Sequence, residues 1–284
     1  MFEERVKAAH ALLDSALETY NATKVYALFS GGHDSLCATH VASSHPNFKA
    51  VLHINTGIGI EDTRRFVRET CQQHGWPLIE IFAAELGQHY EELVTLRGFP
   101  GPPLHYMMYS RLKDKCIDNF TKNNKDFRTE RLILAGGSRS QESSRRMRHV
   151  EPIQQEKRRK CRIWTNPIHD WSKLDCNEYI TWAGLRRNEV VDLLHMSGEC
   201  LCGAFAKEGE LSEIELWYPK TAAHIRAIEE KVKAKGFHWG WEGRPAAREK
   251  KSRLDASGKV VRKDSEPHPE VAPHLCTSCM KKEH

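Results

Sequence analysis

A short apolar segment, residues 25–29, runs into Ser30-Gly31-Gly32-His33-Asp34-Ser35 and then into a helical pattern over 35–43. No other feature limits the fold of this chain as strongly. Adjacent glycines reach backbone conformations closed to other residues, so several amide N–H groups can converge on one anion. The helix that follows turns its positive N-terminal end toward the same point. Hydroxyls of Ser30 and Ser35 add uncharged donors. A Walker loop needs Lys-Ser or Lys-Thr at its end, and neither stands here, which leaves a phosphate loop of a different type. A bare tight turn is the competing reading, and the strand before and helix after the glycines count against it.

Beyond the loop, strand and helix patterns alternate. The sequence predicts a helix over 2–20, strands over 49–55, 77–82 and 131–135, a helix over 61–74 stopped by Gly75, and a long helical segment over 104–120. A last strand over 163–168 is followed by helices over 175–185 and 189–194, and by a helix from Pro219 through Lys235 stopped by Gly236. Such alternation implies parallel pairing with right-handed crossovers. The expected fold class is α/β, a doubly wound, mainly parallel sheet with helices on both faces, followed by a smaller helical and loop extension. We place the nucleotide-binding unit in residues 1–205 and the extension in 206–284. Residues 243–273, rich in Arg, Lys, Glu, Pro and Ser, read as a mobile linker.

Apolar residues make up 39% of the chain, enough for a core, and no apolar run is long enough to span a bilayer. The first 20 residues are amphipathic and carry Glu3, Glu4 and Asp14, unlike a secretion signal. A cytoplasmic location is expected, with the nine cysteines mostly reduced. The net charge of +5 is unevenly spread, with Arg139, Arg145, Arg146 and Arg148 followed by a basic run from Lys157 to Arg162. Downstream of a phosphate loop, these cations suggest an anionic ligand, and the run from Lys157 to Arg162 is a candidate nucleic-acid surface.

Three further segments accompany the loop in order. They are His53-Ile54-Asn55-Thr56-Gly57, then Gly136-Gly137-Ser138-Arg139-Ser140-Gln141-Glu142-Ser143-Ser144-Arg145-Arg146, then Pro167-Ile168-His169-Asp170-Trp171-Ser172-Lys173-Leu174-Asp175. Together they resemble the adenine-nucleotide α-hydrolase (PP-loop) superfamily, and within it the phosphoadenylylsulfate reductase-like proteins, over roughly residues 24–205. The resemblance implies an adenine nucleotide, ATP with Mg²⁺, whose phosphates rest on Ser30, Gly31, Gly32, His33 and Ser35. It implies that Asp34 shapes the loop or holds Mg²⁺ indirectly. Asn55, Thr56 and Gly57 would lie beside the nucleoside at the end of a strand, where open α/β sheets bind ligands. Gly137, Arg139 and Arg146 would approach the phosphates or the substrate anion, the guanidinium groups in bidentate fashion, and Glu142 would orient an arginine. Asp34, Arg139 and Arg146 are the catalytic candidates. Trp171 and Asp175 read chiefly as anchors of a strand-to-helix connection.

Two departures from the reductase pattern redirect the expectation. The chain lacks the C-terminal Glu-Cys-Gly-x-His motif of the thioredoxin-dependent reductases, and with it a placed thiolate. His33 stands where those reductases usually carry Lys. The expectation is therefore an enzyme that cleaves ATP between the α- and β-phosphates, giving AMP and pyrophosphate by way of an adenylated acceptor, in sulfur transfer or nucleic-acid modification. Sulfonucleotide reduction is the alternative. A third reading is a nucleotide-binding accessory protein without turnover, of the kind found beside CRISPR and phage loci. Cys200-Leu201-Cys202 and the Cys-x-x-Cys of Cys276 and Cys279 form a candidate four-thiolate site for a [4Fe–4S] cluster or for Zn²⁺. The competing reading leaves these four cysteines without metal.

Overall fold

The computed structural model describes residues 2–142 and 150–243, and the backbone of a two-stranded ribbon at 253–254 and 260–261. Six strands form one sheet: β1 (Lys24–Leu28), β2 (Phe48–Asn55), β3 (Leu78–Phe82), β4 (Leu132–Ala135), β5 (Ile153–Gln155) and β6 (Arg162–Thr165). Their order is β3-β2-β1-β4-β6-β5. All neighbours pair in parallel except β5, which runs antiparallel to β6 at the edge. Val25, Ala27, Leu132, Ile133, Leu134 and Ala135 are almost wholly buried, as apolar runs covered on both faces should be. The expected doubly wound α/β fold is the one observed.

One face carries α1 (Phe2–Tyr20), α2 (His33–Ser43), α3 (Glu61–Gln73) and α7 (Lys173–Trp182), packed on alternate residues such as Val25, Ala27, Val51 and Ile133. The opposite face uses Tyr26, Leu28, Leu52 and Leu134. Over it lie α4 (Tyr90–Arg97), α5 (His105–Tyr109), α6 (Lys115–Asn123), α8 (Glu189–Leu194), α9 (Glu210–Trp217) and α10 (Pro219–Ala234). Leu211, Ile214, Ile225 and Ile228 of the last two helices thus share one apolar cluster with the sheet.

Most differences from the sequence reading have local causes. The segment over 104–120 is not one regular helix: a π-turn, Ser110–Asp114, separates α5 from α6. Helix α7 starts at Lys173, two residues before the expected start, because Ser172 and Asp175 form a reciprocal capping box. Asp175 also pairs with Arg5 at 2.9 Å, so it anchors the connection as its sequence context suggests. Strand β5 and helices α4 and α9 carried no distinct pattern. Among the described residues no helix is long and apolar enough to cross a membrane.

Strands β2 and β3 extend to one side of β1, and β4, β6 and β5 to the other. The chain therefore reverses its direction of travel across the sheet between β1 and β4. At such a switch point the loops leaving the two strands diverge and open a crevice beyond their C-terminal ends. Ser30–Ser35 leave β1 there, and Gly136-Gly137 leave β4 beside them.

Candidate functional site

The loop after β1 is shaped for an anion. Gly31 has φ +80°, and a Cβ there would meet Thr63 Cγ2 at 2.5 Å. Its carbonyl accepts from Asn188 Nδ2 at 2.8 Å. Gly32 caps α2 without a side-chain acceptor, so no side chain takes the first-turn amides. Ser35 Oγ donates to the Gly32 carbonyl at 2.8 Å, accepts from the Ser30 amide at 3.3 Å and lies 3.1 Å from Ser30 Oγ. The two hydroxyls thus brace the turn from inside.

Gly137 presses on the loop from β4. A Cβ on it would stand 2.7 Å from the Ser35 nitrogen and 2.8 Å from the Asp34 carbonyl carbon. Only a glycine lets the two backbones approach so closely. The resulting pocket is lined by Leu28, Leu52 and Ile54 on the sheet, by Ser30, Ser35, Gly136 and Gly137 in the loops after β1 and β4, and by Lys113 and Glu199. Lys113 is 7% exposed and projects from the π-turn, an irregularity that often marks functional positions. In the sequence Lys113 is indistinguishable from a surface lysine of an amphipathic helix.

Arg139 is almost fully buried and donates to Asp34 Oδ2 at 3.0 Å, while Lys173 Nζ lies 3.6 Å from Asp34 Oδ1. Burial would push the Asp34 carboxyl up, but Lys173 and Arg139 hold it below the ordinary range. The guanidinium expected to reach for phosphate is thus committed to the second residue of α2, with Glu142 contributing to its field. His33 is buried too. Arg187 Nη2 donates to its Nδ1 at 3.2 Å, and Asp192 stands 4.0 Å from its Nε2. Burial, reinforced by Arg187, lowers its pKa to about 4, so the ring is neutral near pH 7.

Asn55 ends β2, and Thr56 and Gly57 follow it, but their polar groups are already engaged. Asn55 Nδ2 donates to Glu80 at 3.1 Å, and Asn55 Oδ1 accepts from the Gly57 amide at 3.1 Å. Thr56 donates its amide to Glu199 Oε1 at 3.1 Å and its hydroxyl to the Glu199 carbonyl at 2.8 Å. Two backbone bonds, Ile60 to Gly198 and Leu201 to Ile58, stitch these segments together. Arg64 Nε lies 3.3 Å and His53 Nε2 3.4 Å from Glu199 Oε2. Burial opposes ionisation of both His53 and Glu199, yet their attraction raises the imidazole and lowers the carboxyl. No sequence motif distinguishes Glu199, and its partners lie more than a hundred residues away.

The basic run is only partly available to a partner. Arg162 is fully buried against Asp114, Asp118 and Glu156 at 2.6, 3.0 and 3.2 Å. Arg159 joins the same three carboxylates, which leaves Lys157, Arg158 and Lys160 exposed. Arg146, Cys276 and Cys279 fall outside the described residues. Cys202 lies in the apolar cluster and Cys200 packs against it half-buried. Among the described residues no three His, Cys, Asp or Glu side chains are grouped as metal ligands.

A loop fitted to an anion, at the switch point of a parallel sheet, invites comparison with known nucleotide enzymes. The family model "Phosphoadenosine phosphosulfate reductase domain" matches residues 24–197. The chain belongs to this family. It is thereby a member of the PP-loop adenine-nucleotide α-hydrolase superfamily, and the family's span begins at β1 and ends beyond α8. No curated protein sequence matches the chain. Among solved structures, phosphoadenylyl-sulfate reductase from Candida auris shares 18% identity at a TM-score of 0.48, over 66% of this chain and 84% of that one. The U34-tRNA thiolase NcsA from Methanococcus maripaludis, solved with its [4Fe-4S] cluster, shares 14% at 0.48, over 81% and 80%. The NH3-dependent NAD synthetase from Campylobacter jejuni shares 13% at 0.48, over 83% and 96%.

Proposed function

We propose that this chain binds ATP with its phosphates at the Ser30–Ser35 loop and cleaves it between the α- and β-phosphates. One observation carries the reading: Gly137 is pressed against the uncapped first turn of α2, in a pocket that also offers an apolar wall. Leu28, Leu52 and Ile54 suit a purine face, and the first-turn amides of α2 suit phosphate oxygens. Lys113 supplies the cation that neutral His33 cannot. In the reaction an acceptor oxygen forms a bond to the α-phosphorus as the bond to the bridging oxygen breaks, and pyrophosphate departs with that electron pair. The residues act by alignment and by electrostatic stabilisation of the charge that develops. Asp34 is a poor direct ligand for Mg²⁺, because Arg139 and Lys173 already neutralise it. When bound, Mg²⁺ would be carried by the triphosphate and offset its charge.

Reduction of a sulfonucleotide is the second reading, and the family match favours it. That chemistry needs a thiolate, and burial excludes Cys71 and Cys116 from supplying it by pushing both up to about 12. Incubation with ATP and Mg²⁺ plus candidate acceptors should yield AMP and pyrophosphate. ADP with phosphate, or no turnover with any acceptor, would sink the adenylating reading. Sulfite released from a sulfonucleotide in the presence of a dithiol would establish the second. Nucleotide binding without either product would support an accessory role. Iron and zinc analysis of anaerobically purified protein, with Cys276 and Cys279 replaced by Ser in parallel, tests the [4Fe–4S] expectation.

A further inference from the structure

We infer that the cage in which buried Arg162 and half-buried Arg159 meet Asp114, Asp118 and Glu156 is a positioning device that aims Lys113 into the nucleotide pocket. The inference rests on the proposed nucleotide site and adds to it the residues that hold its cation. A π-turn inserts one extra residue into a helix and loosens its regular hydrogen bonding, so it persists only where its surroundings impose it. Here the imposition is visible at the end of the turn. Asp114, its last residue, has its carboxylate bound by Arg162 Nη1 at 2.6 Å and by Arg159 at 3.1 Å. Its carbonyl accepts from Arg162 Nη2 at 3.4 Å. One guanidinium thus grips both the side chain and the backbone of the residue next to Lys113.

The cage is tied to the sheet and to α6 as well. Arg162 opens β6, whose register with β4 is Leu132 opposite Arg162. Its other partners are Asp118 at 3.0 Å and Thr121 Oγ1 at 3.4 Å on α6, and Glu156 at 3.2 Å beyond β5. Glu156 also accepts from Trp164 Nε1 at 3.3 Å. Two guanidinium groups therefore face three carboxylates, with Arg162 wholly shielded from water. Such an arrangement is costly to desolvate and contributes orientation more readily than stability. Lys113 gains what a flexible four-carbon side chain lacks, a fixed root at the pocket it lines. The basic run from Lys157 to Arg162 acquires a second purpose, since its two inward-facing arginines serve the active-site cation from behind.

A double-mutant cycle on the full chain tests this, with ATP affinity read by calorimetry and folding checked by thermal unfolding. Lys113→Ala should weaken ATP about tenfold, the loss of one charge-assisted contact. Asp114→Asn should weaken ATP severalfold in the parent chain and by less than twofold in the Lys113→Ala background, because its effect passes through Lys113. Equal losses in both backgrounds, or no loss in the parent, would overturn the inference. An unchanged affinity in Lys113→Ala would instead overturn the placement of Lys113 in the nucleotide site. Should Asp114→Asn fail to fold, the partly exposed Arg159→Ala takes its place in the same cycle, with the same two outcomes.

Discussion

Replacing Gly137 by alanine adds a single methyl group where two backbone segments of the site press together. That methyl would stand 2.7 Å from the Ser35 nitrogen and 2.8 Å from the Asp34 carbonyl carbon. Both are backbone atoms, so no side-chain rotation relieves the contact. Ordinary van der Waals contact begins near 3.4 Å, so the first turn of α2 and the segment after β4 must separate by about 0.7 Å. Overpacking of this size typically costs ~1–3 kcal/mol of stability, and a shift approaching 1 Å in a binding constellation reduces its function by up to about a hundredfold. Gly137→Ala should therefore lose at least about tenfold in ATP affinity by calorimetry while still unfolding cooperatively. Gly136→Ala is the control. Its methyl would meet only Asn166 Oδ1, at 3.3 Å, a side-chain atom able to move, and it should cost less than about 1 kcal/mol. Wild-type affinity in Gly137→Ala, or an equal loss in Gly136→Ala, would refute the claim that this contact shapes the phosphate site.

Three other outcomes follow from the same contacts. Arg139→Met should destabilise the chain by ~2–4 kcal/mol in chemical denaturation, since it leaves the half-buried Asp34 carboxylate with Lys173 alone, and adding Asp34→Asn should recover part of that loss. His40, with its Nδ1 2.7 Å from the Tyr179 hydroxyl, is lowered to about 4 by burial. The unfolded chain therefore binds its proton first, and stability falls as pH drops from 6.5 toward about 4; His40→Gln should reduce the slope of the urea-midpoint profile across that window, the remainder including the His33 contribution. In the basic run, joint replacement of Lys157, Arg158 and Lys160 by Ser should change stability by less than about 1 kcal/mol, whereas Arg162→Met should cost ~3–5 kcal/mol. Similar costs for the two variants would show that the inward and outward cations are not distinct.

The sheet was legible because its signals are local. Residues 25–29, 49–55 and 131–135 are compact apolar runs, and each becomes a strand buried on both faces. Glycine stops and Pro219 likewise marked helix ends without help from tertiary contacts. Edge strand β5 was not legible, because Ile153-Gln154-Gln155 is half-buried and mostly polar, and its pairing with β6 supplies what its composition does not. The π-turn at Ser110–Asp114 escaped for a different reason. A one-residue insertion barely disturbs a helical apolar pattern, and the force that holds it comes from Arg162, almost fifty residues further on.

The site divides along the same line. Ser30, Gly31, Gly32, Ser35 and Gly137 could be proposed from the sequence because a phosphate loop is a backbone device, and backbone demands leave glycines in the sequence. Charged residues leave no such mark. An arginine that would clasp phosphate and one that clasps Asp34 look alike until the fold sets their partners, and Arg139 turned out to do the second. The reverse holds for Lys113 and Glu199, which resemble surface residues in sequence and yet line the pocket. His33 then carries a consequence for specificity. The position is buried, gripped by Arg187 and neutral, so its side chain adds no charge to the loop. On the proposed reading, charge recognition falls to Lys113, which lines the pocket, and to the α2 amides. On that reading the chain should bind ATP in preference to a sulfonucleotide, and a competition titration of the two measures the preference.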